Sequence, residues 1–288
     1  MKSNITDKEL LNLAFTDKKL FKLKVDTILE NDLVEIDVRN ILEKSLSWLD
    51  ITTLKNDDYK KSIIDIVNKS VYNVNGNIGL VAGICIYSNL LPVLNQLCID
   101  RRIKKVVVSG GFPSGQLSLE GKLSDIEFAI KNGVDEIDIP INRGLFFENI
   151  DELAVEIKTI KNIIEQKGQI KLKVIIETSE LKNYTNVFNA SMIAMQNGAD
   201  FIKTSTGKMS IGADVYSSAI MMLAIKEFYK ENQNRVVGFK VAGGIRESKQ
   251  VLQYYTLMRH FFEEDYINKN TFRIGCSSLI DKIISNLK

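Results

Sequence analysis

Two lysines and one aspartate lie in short apolar runs, where ionisable side chains are uncommon. Large apolar residues stand directly beside Asp138, Lys203 and Lys240. If those neighbours face outward from a closed sheet, strand alternation turns the three charged side chains toward its interior. A single charge in such a run is usually a solvated strand end. Three that converge are better explained as paired or catalytic groups, because burying charge is otherwise costly.

Two interior lysines on neighbouring strands would affect one another's protonation. Strands lie ~4.8 Å apart, and at ~5 Å with an effective dielectric of ~20 two ammonium groups repel by roughly 3 kcal/mol. This repulsion lowers the pKa of one lysine by about 2 units, and partial desolvation acts in the same direction. Only a free amine attacks an aldehyde, and a neighbouring cation is a known way to activate it. The pattern predicts a Schiff-base lysine, with Asp138 balancing the remaining charge and moving protons.

Small residues follow the two lysine-bearing runs and the last apolar run of the chain. They let backbone N–H groups approach an anion, and in barrels the loops after strands seven and eight commonly bind phosphate. We therefore predict that a phosphorylated aldehyde or ketose is the substrate. The residues expected to surround it are Thr206, Gly207, Lys208, Gly243, Gly244, Gly275, Ser277 and Ser278.

Cys85 has the inward parity of its run, together with Gly83 and Tyr87. It is interpreted either as a small core residue or as a residue that contacts substrate near the imine, and the sequence leaves both readings open.

Eight short runs rich in β-branched residues alternate with longer amphipathic segments. This alternation is typical of βαβ units with a parallel sheet, and eight units predict a closed (β/α)₈ TIM barrel. A doubly wound open sheet is the alternative, although the chain has no GxGxxG after its first run and no Walker A sequence. The predicted strands are 46–53, 80–87, 105–109, 136–141, 170–178, 201–205, 236–241 and 272–276.

Residues 1–45 read as an all-helical extension that packs on the barrel formed by residues 46–288. Thr6 and Glu9 have the spacing of a capping box, and Asp37 can cap a later helix. No chemistry is evident in this segment, which fits a plug or an oligomer contact.

Composition excludes several classes of protein. The 288 residues are 45% hydrophobic, which suffices for one large core, and the net charge of +2 gives no reason to expect nucleic acid or membrane as a partner. Three cysteines without CxxC spacing and a single histidine favour neither disulfides nor a metal site, and a reducing cytoplasm is the expected compartment. No cofactor is expected, and the predicted partners are a sugar phosphate and aldehydes.

Longer motifs around these residues carry a family resemblance, in order, over roughly residues 48–282. They are Leu49-Asp50-Ile51-Thr52-Thr53-Leu54, Ile84-Cys85-Ile86-Tyr87, Gly111-Phe112-Pro113-Ser114-Gly115, Asp135-Glu136-Ile137-Asp138, Val174-Ile175-Ile176-Glu177-Thr178, Phe201-Ile202-Lys203-Thr204-Ser205-Thr206-Gly207-Lys208, Val237-Gly238-Phe239-Lys240 with Ala242-Gly243-Gly244, and Phe272-Arg273-Ile274-Gly275. The chain resembles the deoxyribose-phosphate aldolases, in their longer, eukaryotic-type branch.

The resemblance implies the metal-free reaction 2-deoxy-D-ribose 5-phosphate ⇌ D-glyceraldehyde 3-phosphate + acetaldehyde. It further implies that Lys203 forms the imine and that Lys240 lowers the pKa of Lys203 and helps proton transfer. Asp138 is implied to relay protons with a water molecule. The chain departs from the family at Ser88 and Val241, where proline is usual, and it ends without the tyrosine that assists proton exchange in many members.

Two other functions stay open on the sequence alone. One is a Schiff-base aldolase of different acceptor specificity, and the other is a sugar-phosphate-binding or interaction protein that keeps the barrel. We expect a homodimer, although no sequence motif supports this assembly.

Overall fold

Eight parallel strands close into a barrel in the computed structural model, which describes residues 5–34, 36–97 and 99–288. The first and last barrel strands pair with each other, so the sheet has no free edge. The predicted (β/α)₈ barrel is confirmed, and the open-sheet alternative is wrong. The barrel strands are β1 (Leu49–Thr52), β4 (Gly83–Tyr87), β5 (Lys104–Val108), β6 (Glu136–Pro140), β7 (Lys171–Ile175), β8 (Phe201–Lys203), β9 (Gly238–Ala242) and β10 (Phe272–Cys276).

Helices surround the barrel and follow each of its strands. The apolar side chains of the strands that point outward pack against these helices in one continuous core. The helices are α1 (Asp7–Thr16), α2 (Lys18–Leu33), α3 (Val38–Ser45), α4 (Lys60–Asn68), α5 (Leu91–Asn95), α6 (Leu119–Lys131), α7 (Arg143–Glu148), α8 (Ile150–Gln166), α9 (Tyr184–Gln196), α10 (Val215–Glu231), α11 (Ser248–Phe261) and α12 (Leu279–Leu287). Within the described ranges, none of them has both the length and the apolar character needed to cross a bilayer.

A β-hairpin between the first two barrel strands is a feature that the sequence analysis did not predict. Strands β2 (Val71–Val74) and β3 (Asn77–Leu80) pair antiparallel across a two-residue turn. Asn75 and Gly76 form that turn with φ of 51° and 88°, the left-handed conformation that Asn-Gly adopts in hairpins. The predicted strand 80–87 is therefore too long, because Leu80 belongs to the hairpin.

The first three helices lie on the outer side of the barrel. The Thr6–Glu9 capping box is present at the start of α1, and the Asp37 side chain accepts from the backbone N–H of Asn40 at 3.1 Å to cap α3. Helix α2 packs against α11 and α10, and His260 Nδ1 lies 3.1 Å from Asp32 Oδ2 across this contact. The division of the chain at residue 45 stays a prediction.

Candidate active site

Asp138 is the meeting point of three lysines inside the barrel. Lys203 Nζ and Lys240 Nζ each donate to Oδ2 of Asp138 at 2.8 Å. Lys173 Nζ donates to the other oxygen, Oδ1, at 2.9 Å. All four side chains are buried, and Lys203 is the most accessible of them at 3%. The structure thus brings together the three residues that the sequence predicts as catalytic, and it adds a third lysine.

Strand register explains why these side chains converge. Lys203 of β8 lies opposite Lys240 of β9, and Asp138 of β6 lies opposite Lys173 of β7. The apolar residues beside them, such as Ile202 of β8, belong to the core between strands and helices. A period of two residues then places the charged side chains on the inner face, as the sequence parity predicts.

Asp138 also belongs to a closed ring of ion pairs that the sequence analysis missed. Starting from Arg273, the guanidinium contacts Asp50 Oδ1 at 2.5 Å and Glu136 Oε1 at 2.8 Å. Lys173 Nζ lies 2.5 Å from Glu136 Oε2, and Lys240 Nζ lies 2.6 Å from Asp50 Oδ2. Since both lysines also contact Asp138, the chain of contacts closes. The charge ring consists of Asp50, Lys240, Asp138, Lys173, Glu136 and Arg273, none of which is more than 2% exposed.

Strand parity also indicates three of the ring members that were not predicted as catalytic. Asp50, Lys173 and Arg273 each stand between two apolar residues in a predicted strand, as Asp138 does. The contact between Asp50 Oδ2 and Lys240 is an ion pair only, because Asp50 Oδ2 has no hydrogen-bond partner among the described residues.

The three carboxylates of the charge ring have lowered pKa values. Burial by itself would raise the pKa of Asp138, but Lys173, Lys203 and Lys240 outweigh it and hold that pKa well below its usual range. The pKa values of Asp50 and Glu136 are lowered in the same way, against burial, by the cations that contact them. At Lys240, burial favours the neutral amine, yet Asp138 and Asp50 raise its pKa. Repulsion between two lysines was expected to lower the pKa of one of them. The pKa of Lys240 is raised instead, because two carboxylates contact its ammonium group.

A cavity of about 580 Å³ opens at the carboxyl ends of the strands, directly above this cluster. Lys203 lines the cavity, whereas Asp138 and Lys240 lie beneath it. Every residue that the sequence predicts around a phosphate also lines it, namely Thr206, Gly207, Lys208, Gly243, Gly244, Gly275, Ser277 and Ser278. Three further cationic residues, which were not predicted from the sequence, also line the cavity: Arg246, Lys55 and Lys69.

Two adjacent glycines shape this wall. Gly243 and Gly244 have φ of 96° and 79°, a conformation that side chains other than glycine rarely adopt. A Cβ on Gly244 would meet no atom within 4 Å, so its backbone faces open space. A Cβ on Gly243 would lie 3.1 Å from Ser205 Cβ. The loop can therefore present its backbone closely to an anion.

Cys85 does not line the cavity. Its side chain is fully buried and packs with Val106 and Val108, and burial raises the pKa of its thiol. This environment corresponds to the core interpretation rather than to substrate contact, and the predicted contact receives no support here. Cys276 of β10 does line the cavity, and burial raises the pKa of its thiol to about 12. The third cysteine, Cys98, lies outside the described residues.

Comparison with known proteins identifies a family. The profile described as DeoC/LacD family aldolase matches residues 95–256, more than half of the chain. The deoxyribose-phosphate aldolases of Homo sapiens and Mus musculus are each 34% identical to it over 254 residues, which cover 84% of this chain and 79% of each relative. The structure of deoxyribose phosphate aldolase from Aeropyrum pernix superposes with a TM-score of 0.67 at 20% identity, covering 90% of this chain and 96% of that one, and shares the fold. The barrel, the buried lysine cluster and these relatives together show that the chain belongs to the DeoC/LacD family of aldolases.

Proposed function

We propose that this aldolase interconverts 2-deoxy-D-ribose 5-phosphate with D-glyceraldehyde 3-phosphate and acetaldehyde through an imine on Lys203. The observation that carries the proposal is the position of Lys203 in the buried cluster. Among its three lysines, it alone lines the cavity. It is also the lysine with a single carboxylate contact, whereas Lys173 and Lys240 each have two.

The contacts of the three lysines give them different roles. An ammonium group bound by two buried carboxylates is strongly stabilised as a cation, so Lys240 supplies positive charge and not a nucleophile. Lys203 needs to release only one ion pair to present its amine to the cavity. A cation fixed beside a nucleophilic amine favours the neutral form of that amine.

The cavity wall supports a phosphorylated substrate. Lys208 and Arg246 supply positive charge, and the loop of Gly243 and Gly244 exposes backbone to the same space. A phosphate held there would extend the sugar toward Lys203 at the base of the cavity. The curated relatives, which are named deoxyribose-phosphate aldolases, support 2-deoxyribose 5-phosphate in particular.

The proposed cleavage begins with imine formation. The Lys203 amine attacks C1 of the open-chain sugar, and loss of water gives a protonated imine. Asp138 contacts both Lys203 and Lys240, and its carboxylate orients the lysine and a water molecule through which protons are relayed in these steps. The lowered pKa of Asp138 keeps it ionised and able to stabilise the cationic imine beside it.

Carbon–carbon cleavage follows from the positive charge of the imine. The C3 hydroxyl loses its proton, the C2–C3 bond breaks, and its electron pair forms the enamine of acetaldehyde on Lys203. Glyceraldehyde 3-phosphate leaves with a new carbonyl at the former C3. Protonation of the enamine carbon and addition of water release acetaldehyde and restore the Lys203 amine.

Product identification tests the proposal. The purified protein is incubated with 2-deoxyribose 5-phosphate, and acetaldehyde and glyceraldehyde 3-phosphate are measured enzymatically. We expect equimolar release of both, abolished in Lys203→Ala and retained in Lys230→Ala, which alters a lysine that is 61% exposed. Cleavage of a keto-acid phosphate without any acetaldehyde from deoxyribose 5-phosphate would identify a different Schiff-base aldolase. Binding of the sugar phosphate without any cleavage would point to a binding protein.

A further inference from the structure

The charge ring is electrically balanced without Lys203. It contains three carboxylates, Asp50, Glu136 and Asp138, and three cations. Each member contacts two members of opposite sign, at 2.5 to 2.9 Å. Lys203 contacts this ring at Asp138 alone, as a seventh ionisable group.

An ammonium at Lys203 therefore adds an unbalanced positive charge to a buried cluster, whereas the neutral amine leaves the cluster balanced. Unbalanced charge is costly where the effective dielectric is low. Arg273 lies on the opposite side of the ring from Asp138, and within the described part of the chain it forms no ion pair with Lys203 and does not line the cavity. Arg273 nevertheless contributes one of the three positive charges that offset the three carboxylates of the ring.

We propose that Arg273 and Glu136, through the charge balance of the ring, determine whether Lys203 is an amine or an ammonium. The inference rests on the proposed function of Lys203 as the imine-forming lysine. Arg273 and Glu136 are positioning residues in this account, because they act on Lys203 through the intervening ion pairs and touch no reacting atom.

Ionisable groups outside the ring also face Lys203, and Glu177 among them is itself faced by Arg143. Lys203 faces Asp138 of β6, Lys240 of β9, Cys85 of β4 and Glu177, which follows β7. Burial raises the pKa of the Cys85 thiol, which stays neutral. The Glu177 carboxylate is engaged by Thr206, which donates from its backbone N–H and from its hydroxyl.

The surroundings of Arg273 are similarly defined. It faces Asp50 of β1, Glu136 of β6 and, more distantly, Lys171 at the start of β7. Its guanidinium also lies 5.8 Å from the centre of the Phe201 ring. Burial opposes its charge, but Asp50 and Glu136 raise its pKa, so Arg273 stays cationic.

The proposal predicts opposite shifts from opposite charge changes. The measured quantity is the acid midpoint, the pH at which kcat/KM reaches half its maximum on the acid side. Arg273→Met leaves the ring with an excess negative charge, which favours ammonium at Lys203 and moves the acid midpoint to higher pH. Glu136→Gln leaves an excess positive charge and moves it to lower pH. At a separation on the order of 10 Å and an effective dielectric near 20, each shift is about one pH unit.

Three further variants separate charge from packing. The double variant Arg273→Met/Glu136→Gln removes one charge of each sign, and we expect its acid midpoint to lie closer to that of the parent than the midpoint of either single variant. Arg273→Lys keeps the charge but loses the bidentate geometry, and its midpoint should also stay close to the parent. If a single variant does not fold, the double variant is compared with Arg273→Lys/Glu136→Gln. These two proteins differ by the positive charge at residue 273 alone, so their acid midpoints should differ in the same direction.

The experiment records pH profiles of kcat/KM, and circular dichroism and thermal unfolding verify that each variant is folded. In parallel, peptide mass spectrometry follows reductive methylation of Lys203 by formaldehyde and cyanoborohydride as a function of pH, which reports its amine without requiring aldolase activity. Opposite shifts that offset one another in the double variant support the proposal. Lower activity with an unchanged acid midpoint in both single variants, or shifts in the same direction, would overturn it. Absence of any Lys203 imine in the parent would instead overturn the proposed function, and methylation would still report on the ring.

Discussion

Lys203 and Lys240 donate to the same oxygen of Asp138, each at 2.8 Å. One carboxylate oxygen thus contacts both Lys240, whose pKa is raised, and Lys203, which lines the cavity. In the proposed mechanism, the same oxygen stays beside the nitrogen of Lys203 when that nitrogen becomes part of a cationic imine. The shared acceptor would then connect the activation of the lysine with the stabilisation of its covalent intermediate.

Replacing the shared acceptor should affect both activity and stability. In Asp138→Asn, three buried lysines lose their common carboxylate, and so does the water molecule that relays protons in the proposed mechanism. We expect kcat to fall by about 10²- to 10⁴-fold and the free energy of unfolding to fall by about 3–5 kcal/mol. Steady-state kinetics and urea unfolding measure these changes. Asp100→Asn, which alters an exposed ion pair with Arg102, is the matched control. Near-parental kcat in folded Asp138→Asn would contradict the assigned role.

The raised pKa of Lys240 determines how activity depends on alkaline pH. A cation with a raised pKa makes its contribution fully below the ordinary lysine value and loses it only as pH rises through the higher value. Activity of the parent should therefore show no loss from Lys240 deprotonation up to about pH 10. Lys240→Arg, with a permanent charge, should have an alkaline profile of the same shape. A fall between pH 8 and 10 that is present in the parent and absent in Lys240→Arg would show that this cation is not retained.

Phosphate recognition should depend on the cations of the cavity wall. Lys208→Met removes a charge from the wall next to the Gly243–Gly244 loop. We expect KM for 2-deoxyribose 5-phosphate to rise by about 10- to 100-fold, the usual range for a lost charged hydrogen bond, while kcat/KM for unphosphorylated 2-deoxyribose changes by less than about twofold. The comparison of the two substrates is its own control. Equal losses on both substrates would mean that Lys208 serves the chemistry or the fold instead.

Stability should fall steeply in acid. Asp50, Glu136 and Asp138 have lowered pKa values in the folded protein, so their contribution to stability is complete above the ordinary carboxylate range. It is lost as pH falls below about 4 and toward the lowered values, because the unfolded chain then binds more protons than the folded one. Differential scanning calorimetry at pH 6, 5, 4 and 3 measures the effect. A Tm that is unchanged between pH 5 and 3 is incompatible with an ionised ring.

The sequence predicts the inward side chains well but not their partners. A period of two residues along apolar strands suffices to turn Asp138, Lys203 and Lys240 inward, because outward positions must pack on helices. Which side chains then touch depends on the register of non-adjacent segments, so Arg273 of the last strand meets Asp50 of the first only once the barrel closes. Parity also gives no depth along the barrel axis, and for this reason it did not separate buried Cys85 from the cavity wall.

The protonation of Lys240 shows a related limit of sequence reasoning. For an isolated pair of lysines, repulsion and burial both lower the pKa. In the folded chain Asp50 and Asp138 both contact Lys240 and reverse the direction of the shift. The convergence of the small-residue loops, in contrast, is predictable from the sequence. The loops that follow the strands of a barrel all lie at one face, whatever the strand register.

Chemical trapping of the imine shows which lysine forms it. The protein is incubated with 2-deoxyribose 5-phosphate and borohydride, which reduces an imine to a stable amine, and peptide mass spectrometry locates the adduct. The account predicts a two-carbon or five-carbon adduct on Lys203, absent in Lys203→Ala and weaker in Lys240→Leu. An adduct on Lys173 or Lys240 instead, or none in a folded protein that binds the sugar phosphate, would contradict the assignment of Lys203 as the imine-forming lysine.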